Sequence, residues 1–136
     1  EAMRRVGINS CTDITGFGLM GHLRGMAKAS KVGAVINASD VPILPGVWDL
    51  LEQNVVPGGT FRNMNGVEDS MDWDDALTDQ QRLLMCDAQT SGGLLISVTK
   101  DNVEQLLSEL EISGVETRVI VGEITAENAG RIRVNA

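Results

Sequence analysis

The stretch Thr15-Gly-Phe-Gly-Leu-Met-Gly-His22 spaces its three glycines as G-x-G-x-x-G. It constrains the fold more than any other segment, because glycine marks places where backbone turns sharply or packs close. Downstream, Phe17, Met20, Leu23, Met26, Ala27 and Ser30 stand three and four apart. That spacing predicts an amphipathic helix over 17–30, with Thr15 and Gly16 at its N-cap. A dinucleotide fingerprint also needs an apolar parallel strand before the first glycine and an acid about 20 residues on. Asp40 meets the second condition. The residues Ile8-Asn-Ser-Cys-Thr-Asp-Ile-Thr15 fail the first, since a central parallel strand reads as a near-continuous Val and Ile run. Two readings then stand beside NAD binding: close helix–sheet packing alone, or a phosphate or metal–phosphate site.

Asp13 gives the phosphate reading its chemistry. Its carboxylate falls at a strand end, one short turn before a helix N-terminus, where free amides favour an anion. A carboxylate there can hold Mg²⁺ against the same phosphates. Alone, an Asp at such a place is equally a turn or cap residue. His22, the only histidine, reads as a hydrogen-bonded structural group rather than a catalyst. A second polar, glycine-rich stretch is "CDAQTSGGLLI" at 86–96. Its Thr90, Ser91, Gly92 and Gly93 form either a nest of amides for an anion or a tight turn into a strand at Leu94. Asp87 serves a metal or caps that turn, and Arg62 in "VPGGTFRN" pairs with a phosphate or lies in solvent.

The remaining pattern predicts short strands and helices in one domain of 136 residues. Strands are expected at 33–38, 94–99, 115–124 and 131–135, with Asn128-Ala-Gly130 turning between the last two. Short helices follow Pro45 through Leu51 and Thr78 through Met85, the latter opened by a Thr78/Gln81 capping box. Asp101 is expected to cap a helix whose Val103, Leu106, Leu107 and Leu110 share a face. From Pro57 to about Asp75 the Gly-, Asn- and Asp-rich composition reads as a long, mobile loop. Interleaved helices and strands, some antiparallel, give an α+β class or a mixed α/β layer.

Charge and cysteine count exclude several functions. Eleven Lys and Arg against 19 Asp and Glu leave a net charge of −8, which opposes a nucleic-acid interface but not a nucleotide bridged by a divalent cation. Cys11 and Cys86 have no metal-ligand spacing and are expected as two reduced, buried thiols of a cytoplasmic protein. No apolar run reaches the roughly 18 residues of a membrane span, and no signal peptide is visible. No Walker motif, Ser-His-Asp set or activated cysteine appears, so no catalytic residue is assigned within the chain. The start at Glu1 suggests a piece of something longer.

Taken together and in order, four segments resemble the selenophosphate synthetase family, the selenide, water dikinases of the aminoimidazole ribonucleotide synthetase superfamily. They are "CTDITGFGLMGHL" at 11–23, "VPILPGVWDL" at 41–50, "VPGGTFRN" at 56–63 and "CDAQTSGGLLISV" at 86–98. The likeness is to the family's C-terminal half. It implies a three-layer α/β/α domain with a mixed sheet and partial ferredoxin-like topology. The implied reaction turns selenide, ATP and water into selenophosphate, AMP and phosphate, with Mg²⁺ as cofactor. It also implies that an N-terminal half carries the catalytic Cys or selenocysteine, a Lys, a glycine-rich loop and most homodimer contacts. The 136 residues alone would then be inactive. Asp13 matches the family's metal-binding aspartate; Thr12, Thr15 and Gly16 surround it, and Thr90, Ser91 and Gly92 belong to the second motif. Ala88 stands where the family commonly has Pro, freeing a backbone torsion that is expected to loosen the turn. A domain of a purine- or thiamine-pathway enzyme of the same superfamily, a stand-alone anion or nucleotide module and a purely structural dimerisation domain are the alternatives.

Overall fold

A computed structural model describes residues 1–136. In chain order the elements are α1 (Ala2–Val6), β1 (Ser10–Asp13), α2 (Gly18–Ser30), β2 (Gly33–Asn37), α3 (Val47–Glu52) and α4 (Gly58–Val67). Then come β3 (Met71–Trp73), α5 (Asp79–Met85), β4 (Leu94–Ser97), α6 (Val103–Ile112), β5 (Gly122–Thr125) and β6 (Ile132–Asn135). No helix is long and apolar enough to cross a membrane.

Four strands form a mixed sheet in the order β3-β6-β2-β5. The strand β6 runs parallel to both of its neighbours, whereas β5 is antiparallel to β2. Alternation along β2 and β6 buries Ala34, Ile36, Ile132 and Val134 on one face. Helices supply the other half of the core: Met20 and Leu23 from α2, Val67 from α4, and Met85 with the following Cys86 from α5. Ile132 and Val134 are fully buried, so truncating either to Ala costs roughly 2–5 kcal/mol for Ile and somewhat less for the smaller Val. The opposite face carries Arg133, ion-paired to Asp72 at 3.1 Å and Asp74 at 3.3 Å.

A second, two-stranded sheet pairs β1 with β4 antiparallel, from Ser10 opposite Ser97 to Asp13 opposite Leu94. Leu95 on its inner side packs against the main core. Nearby, α1 and α6 are tied by Arg5 to Glu109 at 2.6 Å and by the Asn102 amide to the Val6 carbonyl at 3.3 Å. The α+β class and mixed sheet expected from the sequence are thus present.

Several local expectations need correction. The span 57–75 is not a long loop but α4, a short 3₁₀ turn at Glu68–Ser70 and β3. Glycines at 58, 59 and 66 lower helix propensity there, yet buried Thr60 and Val67 and the packing of α4 on α2 override it. Within 115–124 only the end is paired, because β2 ends at Asn37, whose N–H reaches the Val121 carbonyl and nothing beyond. Phe17, not Thr15 or Gly16, occupies the N-cap of α2, and Asn102, not Asp101, that of α6; neither side chain caps. The Thr78/Gln81 capping box forms with both reciprocal bonds. Cys11 is exposed rather than buried, because it lies on the outward side of the edge sheet; Cys86 is buried as expected.

Candidate functional site

Three of the segments singled out above converge on Asp13. The strand β1 ends at Asp13, whose side chain is exposed and shares the outer side of the sheet with Cys11. The chain then turns through Ile14–Phe17 into α2. That turn is laced to the 86–93 segment by backbone bonds: Ile14 N–H to Gly93 O at 2.9 Å, Gly92 N–H to Ile14 O at 2.9 Å, and Gln89 N–H to Thr15 O at 3.2 Å. It also closes on itself through Gly18 N–H to Thr15 O at 3.0 Å.

Of the three glycines in the opening motif, Gly18 carries the steric requirement. Its φ is +68°, and an added Cβ would lie 2.7 Å from the Cys86 carbonyl carbon and oxygen. A side chain at Gly21 would press on the Phe17 Cβ at 2.9 Å, whereas Gly16 faces open space. Gly92 is a second close approach, since a Cβ there would meet the Ile14 carbonyl oxygen at 2.7 Å. The glycines therefore let two polar turns touch backbone to backbone behind Asp13. No apolar parallel strand precedes them, so the dinucleotide reading lapses.

His22 reaches back from α2 to this turn. Its Nε2 accepts the Thr15 backbone N–H and lies as close to the Thr15 hydroxyl, while the Phe17 ring stacks edge-on at 5.9 Å. The imidazole is hydrogen-bonded, as read from the sequence, and acts here as an acceptor.

The start of α4 supplies two residues that sequence reasoning passed over. Thr60, 1% exposed, donates its hydroxyl to Asp87 Oδ1 at 2.9 Å and accepts the Ala88 N–H at 3.0 Å. The Asn63 side-chain amide donates to Gly16 O at 2.8 Å and to Cys86 O at 3.1 Å. Their signal was present in "VPGGTFRN", but the glycines there concealed the helix that aims them. Ala88 is a departure with a use: a proline would have no N–H to give Thr60, so the expected loosening is offset by a bond.

Other assigned residues fall nearby without a demonstrated contact to one another. Thr12 sits in β1 opposite Leu95, and Thr90 and Ser91 are exposed in the turn before β4. The Gly92 amide is committed to Ile14, which removes it from any nest, while the N–H groups of Thr90, Ser91 and Gly93 make no hydrogen bond within the chain. Arg62 is exposed beside Gly58 and Gly59, with no ion pair. Asp87 is engaged by Thr60 rather than free at both oxygens.

No group of three or more His, Cys, Asp or Glu is arranged to hold a metal. A hard cation such as Mg²⁺ keeps several waters and phosphate oxygens and uses only one or two protein carboxylates, so exposed Asp13 suits one ligand position. The thiols suit no such role. Burial, helped by the Glu68 carboxylate, pushes Cys86 up to about 12. Partial desolvation, with Asp13 adding to it, raises Cys11 as well.

The family pattern for AIR synthase related proteins, C-terminal domain, matches residues 1–135, and the chain belongs to that family. Within it, the similarity runs to selenide, water dikinases. The chain is 41% identical over 135 residues to the selenide, water dikinase of Aliarcobacter butzleri, covering 99% of this chain and 39% of that protein. It is 42% identical over 136 residues to that of Porphyromonas gingivalis, covering 98% and 38%. With the enzyme of Photobacterium profundum it shares 48% over 105 residues, or 76% and 30%. The chain thus spans about two fifths of the length of the first two relatives, and the resemblance drawn from its four motifs holds.

Proposed function

We propose that this chain is the C-terminal part of a selenide, water dikinase and that it contributes Asp13 to a Mg²⁺–phosphate site completed by the rest of the protein. The reaction of the whole enzyme is selenide, ATP and water to selenophosphate, AMP and phosphate. Bound Mg²⁺ would supply charge neutralisation at the ATP phosphates. The chain's own residues do the holding. Asp13 presents one carboxylate from a strand end, and Thr12, Thr15 and Gly16 shape the turn around it. The amides of Thr90 and Ser91 and the close approach at Gly92 form the second wall. The catalytic nucleophile, ATP loop and most dimer contacts belong to the other three fifths of the protein, so these 136 residues alone are inactive.

The observation that carries this reading is the backbone lacing of the 14–18 and 86–93 turns directly behind an exposed aspartate. Such preorganised surroundings would let the Asp13 carboxylate hold a cation against the phosphates with no reorganisation needed at reaction. The test uses the complete protein with Mg²⁺, ATP and selenide, read by phosphorus NMR for selenophosphate and AMP. Wild type should give both products, and Asp13→Asn should lose at least tenfold in rate, about 1.4 kcal/mol of barrier. Equal rates would make Asp13 structural; no product from either would favour a plain anion-binding module.

A further inference from the structure

We propose that Asn63 is a positioning residue that couples the two turns of the proposed site, so that the 14–18 turn cannot loosen without the 86–92 turn. This rests on the function just proposed only for its kinetic arm. The geometry is direct. One side-chain NH₂ on α4 donates to Gly16 O at 2.8 Å and Cys86 O at 3.1 Å, carbonyls 70 residues apart in the chain. Gly16 lies immediately past Thr15, and Cys86 immediately before Asp87. Gly18 lets the two carbonyl-bearing segments come this close.

Chemistry explains why the residue must be an amide. Two carbonyl oxygens facing one point need two N–H donors on one planar group, which Asn supplies and Asp, when ionised, does not. An ionised carboxylate there would face two partial negative charges; a protonated one would donate a single bond. One turn back on the same helix, Thr60 fixes Asp87 and Ala88, so the 86–92 segment is held at two points, and Asn63 adds a side-chain bridge to the 14–18 turn beside the backbone bonds that already lace the two. Asn63 touches neither Asp13 nor any phosphate-facing amide, so it acts through the turns.

The test compares Asn63→Asp with Asn65→Asp in the complete protein; Asn65 is exposed on the same helix and makes no side-chain hydrogen bond, so it controls for added charge. Hydrogen exchange is read first. Asn63→Asp should raise exchange at Gly18, Gln89 and Gly92 together, by tenfold or more, and Asn65→Asp by less than twofold. The second readout is ATP-dependent selenophosphate formation against pH. The Asn63→Asp rate should fall at least tenfold at pH 8 relative to wild type and recover as pH drops and the introduced carboxyl protonates. A merely structural loss would not recover. Exchange that rises in one turn only, or in neither, overturns the coupling, and so does a pH-independent rate deficit. If wild type forms no selenophosphate the functional reading fails, and exchange alone decides the role of Asn63.

Discussion

The Nε2 atom of His22 lies 3.1 Å from both the backbone nitrogen and the hydroxyl oxygen of Thr15, so one imidazole lone pair anchors the residue two places past Asp13. Accepting the N–H puts the ring proton on Nδ1. Replacing His22 by Phe keeps the ring volume and strands a part-buried N–H, which costs about 1–2 kcal/mol. His22→Gln, which retains an acceptor, should recover part of it. Urea unfolding should show a lower midpoint with unchanged slope for His22→Phe; an unmoved midpoint would show that the bond contributes nothing.

Two glycines of α2 should respond in opposite ways. Gly18→Ala combines a φ of +68° with a Cβ 2.7 Å from Cys86 backbone, and it should destabilise by about 2–4 kcal/mol. Gly25→Ala meets nothing within 4 Å in the same helix and should stabilise by about 0.5–1 kcal/mol. Thermal melts of the two variants provide the comparison, and similar shifts would contradict the steric argument.

Thr60→Val preserves shape and removes one donor and one acceptor at a site 1% exposed. Asp87 loses its hydroxyl partner and the Ala88 N–H is left without one, at a cost of about 1–3 kcal/mol. Thr60→Ser should stay within about 1 kcal/mol of wild type, since only the methyl is lost. A Val variant as stable as the Ser variant would remove hydrogen bonding from the account.

Cys86 gives the molecule a pH dependence with a definite sign. Its pKa rises from 9.0 to about 12 on folding, chiefly through burial. Between those values the unfolded chain releases a proton that the folded one keeps. The contribution is complete below about 9 and is lost as pH rises towards 12. The stability difference between wild type and Cys86→Ala should therefore shrink from pH 8 to pH 11. A constant difference would mean that the thiol does not titrate differently in the two states. Alkylation at pH 8 should modify Cys11 alone in the native protein and both thiols in urea.

How much of this was legible depended on whether a signal was local. The Thr78/Gln81 box and the Met20, Leu23 and Ala27 stripe are local, and both appear where the residues put them. Asp13 at a strand end before a helix was equally readable. The helix over 58–67 was not, because Gly58, Gly59 and Gly66 argue against it and only contacts to α2 and α5 decide the matter. Thr60 and Asn63 were lost with it, since a residue on an unrecognised helix has no face. The unpaired run before Val121 failed for the converse reason: β-branched residues favour a strand, but a strand also needs a neighbour.

The position of β6 has a consequence for biosynthesis. Ile132 and Val134, with no exposed surface, belong to a strand that lies between β3 and β2 and hydrogen-bonds to both. A ribosome-bound chain that has released everything up to residue 130 has made both flanking strands and every helix, yet has nothing to join them. Closure of the sheet waits for β6, as expected where distant rather than local pairings set the rate. Until then the apolar faces of β2, β3, α2 and α5 lack this partner, and a domain interrupted before β6 exposes the kind of surface that leads to aggregation.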